Sequence, residues 1–236
     1  MQSQPTDDSG RSVMNSPPPF EPASRRVSRL LWGVVLTASL LALAFMLGVL
    51  RRHEAPRQAL PDYGAVAEFM LTNQDGQAVS LRDLAGKVWV ADIIFTRCPG
   101  PCLKMTQQMR DLQNALPQSS SVKLVSLTTD PDFDTPKVLK TYAQRFGADP
   151  SRWLFLTGAK RQIAALAIDS LKLTALEKNA EERQSPNDLF VHSTIFVAVD
   201  KHSHLRGIFE TSGEDVDPAQ ARGQILATVT RLESEP

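Results

Sequence analysis

Hydrophobic and polar positions along this 236-residue chain fall into three regimes. Residues 1–29 show no apolar period and are rich in Pro, Ser and Asp, with Pro17, Pro18 and Pro19 in a row. Such a segment cannot bury enough apolar surface to offset chain entropy and is expected to be disordered. From Leu30 to Leu50 the chain carries no charge and is mostly Leu, Val and Ala. At ~1.5 Å rise per residue this run spans roughly the 30 Å hydrocarbon layer, which predicts a transmembrane helix over 30–50. A cleaved signal peptide is the competing reading. Against it, the run exceeds the usual ~7–15 apolar residues and ends in Leu50-Arg51-Arg52 in place of small cleavage-site residues. Residues 51–64, with Arg51, Arg52, Pro56 and Pro61, are expected to form a polar linker, and residues 65–236 the folded domain.

Within that domain the period changes repeatedly. Glu68 to Leu81 alternates around Asn73-Gln74-Asp75-Gly76, where Asp-Gly supplies the positive φ of a tight turn, so an opening hairpin is expected. Residues 88–95 (VWVADIIF) read as a strand covered on both faces, interrupted by Asp92. Met105, Met109, Leu112 and Leu116 recur at helical spacing before Pro117, and residues 123–128 (KLVSLT) return as a buried strand, completing a β-α-β unit. A second helix is expected from Asp134 or Thr135 as cap, through Pro136, to about Phe146 and Gly147. There follow a strand at 153–156, a helix at 159–168, a polar surface insertion at 177–188, a hairpin at 193–199 and 205–209, and a C-terminal helix at 217–232. Alternating strands and helices closed by a hairpin predict a three-layer α/β domain with a mixed sheet.

Composition narrows the function. With 26 basic and 26 acidic side chains the formal charge is zero, so no basic field exists to condense on a phosphate backbone, and nucleic acid is not expected as a partner. The two cysteines, Cys98 and Cys102, are too close in sequence to close long loops, and such a pair points to redox or metal chemistry. In TRCPGPCLKM they follow a buried strand and open a helix, whose free N–H groups and dipole favour thiolate. Near-helical spacing gives a Cα separation of about 6 Å, within disulfide range, so the pair is able to oxidise or to hold one soft ion. A structural disulfide would close so short a loop that it would restrain the unfolded chain little.

The run FTRCPGPCLKM, with TTDPDFDTPKVLKTYAQRFGADPSRWLFLTG downstream and VHSTIFVAVDKHSHLRGIF later, resembles the Sco/SenC family of copper-binding proteins, over roughly residues 65–232. The resemblance implies a thioredoxin-like domain on a membrane anchor, a copper ion held by Cys98, Cys102 and His192, and delivery of copper or electrons to the binuclear copper centre of cytochrome c oxidase. Leu103 departs from the family, which usually places proline after the second cysteine; this touches loop rigidity, since Leu103 offers no ligand atom. In thioredoxin-like folds the residues entering the strand after the second crossover face the cysteine loop, usually with a proline there. Here that segment is Val191-His192-Ser193-Thr194, which aims an imidazole at two sulfurs, a donor set suited to copper.

Asp92, a carboxylate inside an apolar strand six residues before Cys98, is costly there unless hydrogen-bonded or functional. It is expected either to relay a proton for the thiols from a raised pKa or to make a structural hydrogen bond. His202 and His204 lie in a turn and are expected to face solvent, with a weak second metal contact as the alternative. Asp130 and Asp134 read as turn and cap residues or as contacts to a partner or a divalent ion, and Met105 as core packing or a weak thioether ligand.

The leading expectation is a copper-binding metallochaperone and not a turnover enzyme. A thiol-disulfide oxidoreductase that reduces the cysteines of the oxidase copper-centre subunit is the alternative. A thiol peroxidase fits less well, because it needs neither the second thiol nor His192. Acids at Asp7, Asp8 and Glu21 are unlike a mitochondrial transit peptide, which favours a bacterial inner membrane with the C-terminal domain in the periplasm. Charge alone orients the span weakly, with Arg11, Arg25, Arg26 and Arg29 before it and Arg51, Arg52 and Arg57 after it.

Overall fold

Helix α1 (Arg25–His53) covers the whole apolar run of residues 30–50 and lies in a unit of its own that ends at Gln58; a second unit runs from Ala59 to Pro236. The structure is a computed structural model and describes residues 25–53, 59–98, 100–179, 181, 190–192, 194–213 and 215–236. The first 24 residues, expected to be disordered, lie outside the described residues, and Arg25 to Arg29 belong to α1. Leu31, Trp32, Leu40, Leu41 and Phe45 are more than half exposed on α1. Among the described residues no helix is long and apolar enough to cross a membrane; the side chains of residues 47–53 lie outside them.

The second unit opens with the expected hairpin. Strands β1 (Met70–Asn73) and β2 (Ala78–Ser80) pair antiparallel about a turn in which Gly76 takes φ +78°. Asn73 stabilises that turn, its side-chain oxygen accepting from the N–H groups of Asp75 (3.0 Å) and Gln77 (2.9 Å). Leu81, expected in the second strand, instead starts the short helix α2 (Leu81–Leu84), because Ser80 and Asp83 form a capping box that turns the chain.

The six residues of β3 (Trp89–Ile94) are all buried. Helix α3 (Pro101–Ala115) starts with Pro101 at its first position and leads to β4 (Lys123–Thr128), parallel to β3. Helix α4 (Pro136–Arg145) is capped by Thr135, whose hydroxyl accepts from the Val138 N–H, and it ends where Gly147 adopts φ +67°. Strand β5 (Trp153–Thr157) lies parallel to β4, and α5 (Lys160–Ala164) passes into a π-helical turn over Ala165–Ser170. Strands β6 (Ala175–Glu177) and β7 (Phe190–His192) form a two-stranded ribbon. The hairpin of β8 (Ile195–Val199) and β9 (Leu205–Glu210) then precedes the C-terminal helix α6 (Pro218–Ser234).

The main sheet has the order β2-β1-β5-β4-β3-β8-β9 and is mixed. Alternation along β3 divides the core: Val90 and Ile94 pack with α3, α4 and α6 on one face, while Trp89, Ala91 and Ile93 pack with α2 and α5 on the other. The three-layer α/β architecture is therefore the one expected. Where β1 stops pairing with β5, the buried Gln74 side chain continues the ladder, donating to the Trp153 carbonyl (3.0 Å) and accepting from the Phe155 N–H (2.9 Å).

Two readings of segments change. The insertion expected at 177–188 is flanked by paired strands, Ala175 opposite His192 and Glu177 opposite Phe190; residues 182–189 lie outside the described ones. The linker expected over 51–64 is helical to His53, and its last residues are bound to the domain. Tyr63 N–H donates to the Leu205 carbonyl, and Arg206 donates to the carbonyls of Leu60 and Pro61.

Candidate metal and thiol site

The cysteine loop leaves the C-terminal end of β3 as Thr96-Arg97-Cys98 and is tied down on both sides. The buried Asp134 carboxylate accepts from the Thr96 N–H (3.1 Å), the Thr96 hydroxyl and the Thr128 hydroxyl, so one side chain links the ends of β3 and β4. Burial raises the Asp134 pKa, with the threonine hydrogen bonds pulling the other way. Arg97 pairs with Asp130 at 2.5 Å and lies over the Phe133 ring, 4.1 Å from its centroid. The segment DPDFDTP thus braces the loop that carries the thiols. Sequence reasoning weighed Asp130 and Asp134 as turn and cap residues or as contacts to a partner or a divalent ion, and not as braces of the cysteine loop. The available signal was an acid run directly following the second buried strand, next to the loop in a parallel β-α-β unit.

Neither cysteine is in a disulfide; Cys98 is partly exposed and Cys102 is fully buried in the first turn of α3. The thiols are hydrogen-bonded to each other. That hydrogen bond, followed by burial, pushes the Cys102 pKa far above its ordinary value; a backbone hydrogen bond from Phe95 opposes the shift, and the negative field of Asp92 adds to it. The sequence led us to expect thiolate at both positions. For Cys102 the expectation fails: the S–H is used as a donor in an apolar cluster with Met105 and Phe95, and this outweighs the helix N-terminus.

Asp92 is completely buried on the strand face it shares with Val90 and Ile94, the face that carries Cys102. Its field also raises the Tyr142 pKa, behind burial as the main cause, so the carboxylate, both thiols and this phenol share one low-dielectric region. Within it the Thr106 hydroxyl donates to the Cys102 carbonyl (2.8 Å) and lies 2.9 Å from the Tyr142 hydroxyl. A threonine has one hydroxyl proton, so with it committed to Cys102 the phenol acts as donor.

His192 closes β7, and its side chain lies outside the described residues. Its backbone is better placed. Strand β8 runs antiparallel to β3, with Ala91 opposite Val197, so the start of β8 lies toward the end of β3 that opens into the cysteine loop. Thr194, two residues after His192, lines an open groove of about 390 Å³ together with Gly100, Pro101, Lys104, Ser212 and Gly213. The groove runs beside the thiol-bearing turn, since Gly100 and Pro101 lie between the two cysteines.

The remaining candidates separate cleanly. Met105 is fully buried in the core, as packing predicts, and Leu103 is exposed. His202 is exposed with its ring near the Pro236 carbonyl, whereas His204 is partly covered and pairs with Asp62 at 2.9 Å. Among the described residues no cluster of three His, Cys, Asp or Glu side chains is placed to hold a metal ion.

Comparison with known proteins gives a consistent family. Residues 58–228 match the family model described as SCO1/SenC. The SCO1 protein homolog of Bacillus subtilis is 38% identical over 136 residues, covering 57% of this chain and 67% of that protein. Among solved structures, BsSco, described as a member of the Sco family of cytochrome c oxidase assembly proteins with a disulfide switch, is 31% identical with a TM-score of 0.62. That match covers 76% of this chain and 98% of the other. Bradyrhizobium japonicum ScoI, solved with copper bound, shares the fold at 23% identity and a TM-score of 0.57, covering 72% of this chain and 99% of the other.

Proposed function

The chain belongs to the SCO1/SenC family, and from that membership we propose that it binds a copper ion through Cys98, Cys102 and His192 and delivers it to the binuclear copper centre of cytochrome c oxidase. The observation that carries this reading is the pair of reduced, mutually hydrogen-bonded thiols at the start of α3. Two thiols joined by a hydrogen bond offer two soft donors side by side once Cys102 gives up its proton, and an imidazole completes a set that suits copper. Thr194 on the groove wall supports His192 as the third donor, because the two are two positions apart in sequence and their Cα atoms at most ~7 Å apart. Copper is cargo here, and the protein's part is to hold it where a partner's own ligands reach it along the groove.

In this proposal residues 30–50 anchor the domain in a bacterial inner membrane, with residues 65–236 in the periplasm, an oxidising compartment where a reducible cysteine pair has a use. The reduced state of both cysteines also favours a second reading. A dithiol in contact is ready to reduce a disulfide of the copper-centre subunit, Cys98 and Cys102 becoming the disulfide as the partner's pair becomes two thiols. The test mixes full-length chain in detergent micelles with metal-free copper-centre subunit. Copper-loaded chain is expected to transfer its metal and generate the subunit's copper absorption. If only the metal-free dithiol chain acts, gaining a disulfide as the subunit loses one, the oxidoreductase reading takes its place.

Asp92 is proposed to relay protons to and from the thiols, on the strength of its burial on the Cys102 face of β3 and its field at Cys102. The Asp92→Asn chain is expected to show an altered pH profile for thiol alkylation. An unchanged profile leaves Asp92 a purely structural residue.

A further inference from the structure

Beside α4 an open pocket of about 330 Å³ is lined by Thr96, Lys137, Val138, Thr141, Tyr142 and Arg145. Nothing in the copper chemistry uses it. Five of these residues form one stripe of α4, at i, i+1, i+4, i+5 and i+8, with Val138 and the buried Tyr142 as an apolar floor and Lys137 and Arg145 exposed at its two ends. Neighbouring cations elsewhere on this surface are neutralised, Lys140 by Asp75 at 2.9 Å and Arg97 by Asp130. Lys137 and Arg145 make no ion pair among the described residues. The sixth wall residue, Thr96, is two positions before Cys98, so anything seated here lies next to the thiol loop.

We propose that this cavity docks an extended acidic segment of a protein partner, carrying two carboxylates four residues apart with an apolar side chain midway. The spacing follows from the geometry. Lys137 and Arg145 are eight helical residues apart, ~12 Å along the axis, and four residues of extended chain span ~13 Å. In an extended segment positions i, i+2 and i+4 point to the same side, so the two acids meet the two cations while the residue between them meets Val138 and Tyr142. A small free anion would satisfy one cation and leave the apolar floor wet. The pocket would add charge-steered docking beside the cysteine loop, independent of how copper is held.

The test is fluorescence anisotropy of a labelled Ser-Glu-Ser-Leu-Ser-Glu-Ser peptide with the full-length chain in uncharged detergent. Saturable binding is expected, at least tenfold weaker for the glutamine version of the peptide and for the K137Q/R145Q chain, and weakened by raising salt from 50 to 300 mM. The two substitutions are on exposed side chains, and an unchanged melting temperature and copper stoichiometry in the double variant confirm that fold and metal site are intact. Equal binding of both peptides, binding that survives K137Q/R145Q, or no binding up to millimolar peptide would overturn the proposal. So would the finding that phosphatidylglycerol vesicles, and not the peptide, depend on these two cations, which would make the cavity a headgroup site.

Discussion

Full-length chain carrying His192→Ala is expected to bind copper at least ~100-fold more weakly than wild type in a chelator competition, while both thiols remain titratable and still oxidise to a disulfide. The size follows from what is removed. Changes merely behind a metal ligand cost about 10–100-fold in affinity, so loss of one of three donors sets that as a lower bound. Fold loss does not confound the result, because among the described residues β7 pairs with β6 alone, in a ribbon outside the main sheet, and the melting temperature is expected to stay close to wild type. The same variant separates the two functional readings. Copper transfer depends on residue 192, whereas thiol-disulfide exchange needs only Cys98 and Cys102. Copper affinity within about threefold of wild type in His192→Ala would remove the three-donor site.

What the sequence made legible and what it hid follow from the range of the interactions involved. Strand β3, the hairpin turn at Gly76 and the stop of α4 at Gly147 were readable because burial on both faces and positive φ are local demands that leave local marks. The ribbon of β6 and β7 was hidden because each strand is three residues long and the pairing spans an insertion, so no period develops. Leu81 was misplaced because its apolar character fits a strand as well as the first turn of α2, and the capping box at Ser80 and Asp83 decided it. In the site the thiol pair was legible from spacing alone. The ionisation of Cys102 was not, since helix N-terminal position argues for thiolate, whereas a hydrogen bond to Cys98 and complete burial, both tertiary facts, reverse the sign. The bracing by Asp130 and Asp134 was hidden for the same reason: the contacts bridge more than thirty residues, from one strand end to the next.

That bracing yields the largest expected stability effect. Asp134→Ala removes the acceptor shared by the Thr96 N–H and the hydroxyls of Thr96 and Thr128 and leaves these donors in a buried junction. At roughly 1–3 kcal/mol for each stranded buried group, partly recovered by rotation of the two hydroxyls, the cost is expected to be about 3 kcal/mol in urea denaturation. The freed Thr96 should also loosen the loop ahead of Cys98, read as faster alkylation of that thiol in the folded chain. Asp134→Asn is expected to behave differently, since the amide keeps one acceptor oxygen and carries no charge to bury. Burial raises the Asp134 pKa above its unfolded value near ~3.9. The native state therefore holds this proton more tightly than the unfolded chain does, and the stability so gained is complete below that value and lost as pH rises through the raised native pKa. Relative to Asp134→Asn, the wild-type chain should accordingly be most favoured in acid and lose ground with rising pH, reaching a plateau once the native carboxylate is ionised. A stability difference that grows in favour of wild type from acid to neutral pH would mean that the threonine hydrogen bonds outweigh burial, and that Asp134 secures the loop as a stabilised anion.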